Sequence, residues 1–225
     1  MRRREFLQRA ATGLPVAAAA AQSRMDGQTL SSISLPKPQM QGGKPFLQTV
    51  SERNTERNIS EEKLSPQVLS NLLWAAWGVN RPATKGRTAP SARNIQEIDL
   101  YVFLAQGVYR YEAFGHSLQP VLGGDHREKA GMQPGVNKAP VNLIYVADFE
   151  KYGANASGDT SRQMVRSSAH AGFIGQNVHL FAASEGLGAW FRASLDTSAV
   201  AALLKLRPAQ KVLYGQTVGY PSRRA

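Results

Sequence analysis

The chain contains no cysteine. Disulfides, thiolate-held metals, iron–sulfur clusters and a cysteine nucleophile are therefore excluded together. Histidine is sparse as well. His116, His126, His170 and His179 fall into no metal-ligand spacing, and a nine-residue offset turns His170 and His179 to different sides of the helix expected there. No metal site and no catalytic side chain are assigned. Long apolar runs are missing too: Thr12, Gly13 and Pro15 break the Ala-rich stretch from Ala10 to Ala21, so no integral membrane segment is expected. Acidic residues are few, 16 against 27 Lys and Arg, for a formal charge of +11. The basic residues are scattered and not interleaved with aromatics, which argues against a nucleic-acid-binding module. Two glycine signatures are incomplete. Gly115-His116-Ser117-Leu118-Gln119 lacks the closing glycine of a hydrolase nucleophile elbow. Gly186-Leu187-Gly188 has Phe191 where a dinucleotide fingerprint needs its third glycine, and a helix stop is the better account. No internal repeat is visible.

What is present fits one globular domain: 225 residues, 42% apolar, with 20 Gly and 12 Pro. Arg3-Arg4-Glu5-Phe6-Leu7 resembles a twin-arginine export signal, and Ala19-Ala20-Ala21 satisfies signal peptidase. An ordinary secretory signal and a plain tail are the alternatives. The twin-arginine reading makes residues 1–21 a signal peptide and the protein exported, periplasmic, and folded with any cofactor before transport. Residues 22–44 read as a linker with one extended contact, and residues 45–225 as the folded body.

Within that body, Ser65–Gly78 predicts a helix, with a Ser cap, Pro66 and a glycine stop. Ile98–Ala105 and Gly107–Phe114 predict two strands around a tight turn. Ala139–Asp148 reads as a buried strand, and Thr160–Glu185 as a long, enclosed helix. A short crossing segment from Ala189 to Leu195, a helix over Thr197–Leu206 and a strand over Lys211–Tyr220 complete the chain. Helices and strands interspersed with one hairpin imply an α+β fold, a mixed sheet wrapped by helices.

Three stretches carry candidate chemistry. In Arg53-Asn54-Thr55-Glu56-Arg57, two guanidinium groups and a hydroxyl alternate as a phosphate site requires, although a solvated charged turn has the same composition. Tyr220-Pro221-Ser222-Arg223-Arg224 is a second basic spot after a strand. The stretch from Gly86 to Phe103, in which small and polar residues pass into an apolar strand pattern, offers an arginine, two hydroxyls, an amide and a rigid proline, groups suited to a polar ligand. Trp74 and Trp77 could line a cavity, but at helical spacing among leucines they read as core.

Taken in order, these stretches resemble the FMN-dependent nitroreductase family. Arg53–Arg57 is similar to its Arg-x-Ser-x-Arg opening, with Thr55 for serine. Ala89-Pro90-Ser91-Ala92-Arg93-Asn94 resembles its second motif. Gly175-Gln176-Asn177-Val178-His179-Leu180 with Gly186-Leu187-Gly188 resembles its central helix and exit turn, and Val218-Gly219-Tyr220-Pro221 its closing strand. Trp77-Gly78-Val79-Asn80-Arg81 and Gly107-Val108-Tyr109-Arg110-Tyr111 are similar to the azoline-dehydrogenase-like branch. The resemblance implies an intertwined homodimer with FMN at the subunit interface. It implies that Arg53 and Thr55, with neighbouring Asn54, hold the FMN phosphate with help from Arg223 or Arg224, while Arg57 faces the pyrimidine edge. Pro90, Ser91, Ala92 and Asn94 would reach over from the partner, and backbone groups of Ala193 and Ser194 would face the reactive flavin nitrogen. Family members with glutamate and glycine there differ from this Ala-Ser pair.

The implied chemistry is ping-pong hydride transfer from a donor such as NADH or NADPH to a nitro or quinone-like acceptor, carried by the cofactor. Two other activities remain open. One is azoline dehydrogenation in a modified peptide, which export argues against. The other is flavin electron transfer in the cell envelope, where nicotinamides are scarce.

Overall fold

The computed structural model describes residues 30–153 and 159–222. The leader assigned to residues 1–21, and Arg223 and Arg224, lie outside them. The architecture grows from one strand, β7 (Val141–Asp148), whose sequence VNLIYVAD is buried at every position. A strand with two apolar faces needs a neighbour on each edge and cover on each side. Its neighbours are β4 (Ile98–Leu104) and β9 (Gln210–Gly219), both antiparallel to it. β5 (Gly107–Glu112) pairs with β4 across the expected tight turn, Leu104 opposite Gly107. β6 (Ser117–Gly123), β1 (Ile33–Ser34) and, on the far side, β8 (Gly188–Arg192) complete a seven-stranded sheet in the order β1-β6-β5-β4-β7-β9-β8, while β2 (Val79–Arg81) and β3 (Gly86–Arg87) pair separately. The fold is α+β as expected. Every pair in this sheet is antiparallel, so the mixture is of helix with strand and not of strand direction.

Alternation along the strands divides the core in two. Leu100, Val102, Leu143 and Tyr145 face α2 (Pro66–Trp77) and α3 (Thr160–Ser184), packing on Leu72, Leu73, Ile174 and Val178. Tyr101, Phe103, Ile144 and Val146 face the other way, onto Trp190 and α4 (Thr197–Leu203). Three of the helices start where the sequence supplies a cap: Ser65 Oγ accepts from Val68 N–H at 3.3 Å, Asp159 from Arg162 N–H at 3.0 Å and Asp196 from Ala199 N–H at 2.9 Å. α1 (Phe46–Glu52) has no side-chain cap and packs against α3.

One expectation needs revision. The body does not begin at Pro45: Leu30, Ile33 and Leu35 pack on the core, β1 extends the sheet and Gln39 N–H donates to Asn71 Oδ1 at 2.9 Å. The three apolar residues of an otherwise polar stretch are what bind it down. β6 is a strand despite Pro120. The ladder with β5 shifts register beside it, which accommodates a residue with no N–H to donate.

Candidate functional site

After α1 the chain crosses the sheet edge in the segment Arg53–Ile59. It can do so closely because β8 starts, and β9 ends, with glycine. A Cβ on Gly188 would lie 2.6 Å from Ile59 Cδ1 and 2.9 Å from Glu56 Cβ, and one on Gly219 would be 2.5 Å from Ile59 Cγ2. The crossing is pinned by backbone bonds. Glu56 N–H donates to Ala189 O at 3.2 Å, Ser60 N–H to Tyr220 O at 2.8 Å and Ser222 N–H to Asn58 O at 2.7 Å. The chain preceding Arg223 is thereby bonded to the residue that follows Arg57.

Arg57 is exposed, with its guanidinium carbon 5.9 Å from the Trp190 ring centre. It lines a cavity of about 470 Å³ together with Gln133, Trp190, Arg192, Ala193 and Ser194. Three residues expected to act together, Arg57, Ala193 and Ser194, thus meet in one place. Arg53 is half-buried beside α3. Burial pushes the His179 imidazole below its ordinary range, and the Arg53 charge adds to that against the backbone of Asn54. Asn54 Nδ2 donates to Glu52 O at 3.1 Å, and Thr55 is exposed. Among the described residues neither Arg53 nor Arg57 is in an ion pair with a carboxylate. Their charge remains available to an anion.

The loop Pro90–Asn94 lies elsewhere on α3. Ala92 N–H donates to His170 Nε2 at 3.0 Å, and His170 Nδ1 lies 2.7 Å from Glu97 Oε1. An imidazole that accepts at Nε2 carries a proton on Nδ1, which points at the Glu97 carboxylate. Ser91 Oγ accepts from Gln96 N–H at 3.1 Å, Gln96 Nε2 donates to Asn94 Oδ1 at 2.7 Å, and Asn94 Nδ2 to Thr84 O at 3.3 Å. These bonds hold Arg93, Asn94 and Gln96 at positive φ, 55°, 55° and 54°, a backbone that non-glycine residues adopt only when fixed by their surroundings. Pro90 is exposed and Ala92 half-buried. His170 and His179 stand about 13 Å apart along the helix axis. Within one chain, therefore, the loop and the Arg53–Arg57 segment occupy separate stretches of α3.

Trp77 is core, 2% exposed with Nε1 donating to Ile98 O at 2.9 Å. Trp74 is half-buried and lines a second cavity, of about 680 Å³, with Asn71, Asn177 and Phe181. Sequence reasoning missed Glu97 and His170, which brace the loop, and Arg192, a buried charge ending the apolar strand Gly-Ala-Trp-Phe-Arg. For Arg192 the signal was there: a cation in a strand that is otherwise apolar. No group of three or more His, Asp or Glu able to hold a metal exists among the described residues.

Residues 50–220 match the nitroreductase family model. A provisionally named nitroreductase of Methanocaldococcus jannaschii is 29% identical over 167 residues, covering 69% of this chain and 82% of that one. The crystal structure of a provisionally assigned nitroreductase from Ralstonia eutropha superposes with a TM-score of 0.81 at 34% identity, covering 88% and 93% of the two chains. A chain of the Escherichia coli microcin synthetase complex shares the fold at TM-score 0.65 and 20% identity, over 92% and 84%. A Vibrio harveyi NADPH:FMN oxidoreductase complexed with NAD+ does so at 0.58 and 18%, over 79% and 69%. With a family match across most of its folded body and a relative alike in sequence and architecture over nearly its whole length, the chain belongs to the nitroreductase family of oxidoreductases.

Proposed function

We propose that the protein is an FMN-dependent oxidoreductase, active as a homodimer, that passes hydride from a reduced nicotinamide to an electron-poor nitro or quinone-like acceptor in ping-pong order. The observation carrying this reading is the single cavity shared by Arg57, Ala193 and Ser194, beside which Ser222 is bonded to Asn58. The donor set suits FMN. Unpaired guanidinium groups match a phosphate and a ring that gains negative charge on reduction, and Trp190 supplies an aromatic wall. A nicotinamide donor is favoured by the Vibrio harveyi neighbour.

In this reading Arg53 and Thr55, with Arg223 or Arg224, hold the phosphate, and Arg57 neutralises charge at the pyrimidine edge. The Ala193–Ser194 backbone orients the reactive edge. Pro90, Ser91, Ala92 and Asn94, presented rigidly by the His170 and Gln96 bonds, close the cleft of the other subunit. Bound FMN supplies the two-electron chemistry, so no side-chain acid or base is required. Donor and acceptor use the same open side in turn.

Purified protein is expected to be yellow and to release FMN on denaturation; colourless protein that takes up no FMN overturns the reading. Ser91→Ala with Asn94→Ala should weaken FMN retention, and full occupancy would remove the loop from the site. Export by the twin-arginine route is part of the proposal. Arg3→Lys with Arg4→Lys should leave the protein in the cytoplasmic fraction.

A further inference from the structure

Arg192 is 5% exposed. It is the residue immediately before Ala193 and Ser194, and it lines the same cavity. Its guanidinium is held entirely by neutral acceptors. Nη1 donates to Thr217 Oγ1 at 2.7 Å and more weakly to Trp190 O at 3.4 Å; Nη2 donates to Ala130 O at 2.6 Å and Asn142 Oδ1 at 3.3 Å. Nε is buried without a partner. No carboxylate pairs with it among the described residues. Burial pulls its pKa down to about 10, which still leaves it charged at neutral pH. The fold makes room for the group: a Cβ on Gly215 would touch its Cζ at 3.4 Å, and one on Gly131 would meet Nη2 at 2.9 Å.

A buried charge with no counter-ion is costly, and an apolar side chain of similar volume would serve packing better. The arrangement makes sense when an anion completes it. Arg192 is also not alone: its Cζ lies 5.2 Å from the Trp190 ring centre, and Arg57 approaches the same indole at 5.9 Å. Two cations therefore approach one wall of the cleft, Arg57 exposed and Arg192, next in sequence to Ala193 and Ser194, buried. A low-dielectric setting lengthens the reach of the sunken charge.

Resting on the FMN reading above, we propose that Arg192 is a positioning residue acting through charge: it favours the reduced, anionic form of the bound flavin over the oxidised form, and so raises its midpoint potential. The couple takes up a hydride, two electrons and one proton, from the donor, and the ring gains one negative charge; a fixed cation stabilises the side of the couple that carries it.

The test uses the full-length protein loaded with FMN, the Kd of oxidised FMN by fluorescence quenching and the midpoint potential by dye equilibration. Arg192→Gln should weaken reduced FMN about tenfold more than oxidised FMN, a fall of about 30 mV for a two-electron couple. Arg192→Lys, which keeps the charge, should recover most of that. Asn142→Asp puts a carboxylate at the position of an existing neutral ligand and supplies the missing counter-ion, giving up only the Asn142 Nδ2 donation to Val136 O. It should lower the potential in the same way, and it decides the matter should Arg192→Gln not fold. Potentials equal to wild type in the Gln and Asp variants, or a fall with Lys as large as with Gln, would mean that Arg192 only staples Ala130 to the sheet. If the wild type takes up no FMN, the functional reading itself falls. Bound FMN with an unmoved potential sinks only this inference.

Discussion

At the scale of single residues, the site depends on atoms that are absent as much as on charges that are present. Gly188 lets Glu56 and Ile59 cross the sheet edge, and Gly188→Val should lift that segment. Overpacking of this kind costs about 1–3 kcal/mol; a matching drop in thermal midpoint, with weaker FMN binding, is the expected result of a melt and a titration. Glu97 gives a pH signature. Its burial alone would raise the carboxyl, but the hydrogen bond from His170 reverses this and holds it below the ordinary range. A carboxylate whose folded pKa is depressed contributes stability above its unfolded pKa of about 4.3 and loses it as pH falls through the lower folded value. Glu97→Gln should therefore flatten the acid limb of a plot of thermal midpoint against pH below about 4.3. An unchanged limb would show the pair contributes nothing to acid sensitivity. Arg53 and Arg57 were legible as candidates in the sequence because a family motif marks them, whereas Ala193 and Ser194 were reached only by position, their residue types differing from the glutamate and glycine of other family members. Glu97 and His170 were not legible: they lie 73 positions apart, and only the packing of α3 on the sheet brings them to 2.7 Å.

At the scale of elements, α3 carries both candidate stretches, with His170 bracing the Pro90–Asn94 loop and His179 beside Arg53. Removing the brace should loosen the loop without unfolding the helix. A buried donor left unpaired costs about 1–3 kcal/mol, so His170→Ala should speed hydrogen exchange at the Ala92 amide about tenfold or more. Exchange at wild-type rate would mean the loop is held by the Ser91 and Gln96 bonds alone. The elements written in clear periodicity were readable: α2, α3, β4, β5, β7 and β9 fall within a few residues of their expected bounds. α1 and β6 were not. α1 is only seven residues long with no side-chain cap, and β6 contains Pro120, so local pattern is weak and tertiary pairing decides.

At the scale of the molecule, Phe46, Leu47 and Val50 are 68%, 78% and 45% exposed on α1, while Val165 and Phe173, two turns apart on α3, are 71% and 46% exposed. Apolar groups so open to water fit the proposed subunit contact. Sedimentation should give twice the chain mass, and Phe46→Glu with Leu47→Glu should shift the protein toward monomer and release FMN. A monomeric wild type would remove the partner's loop from the cleft. The α+β class was legible because helical and strand periodicities alternate along the chain; the strand order was not, since it depends on pairings between distant segments. That order bears on biogenesis. Among the described residues β8 has β9 as its one neighbour in the sheet, and β9 sits between β8 and β7 although it follows both in sequence. A nascent chain emerging from the ribosome as far as β8 has nothing to pair that strand with. Trp190, Arg192 and the crossing segment that leans on Gly188 and Gly219 stay unassembled until the last strand threads into the gap. Any cofactor taken up in that cleft must then wait for synthesis of β9, and a message truncated before β9 would yield a chain with a hairpin core but no cleft.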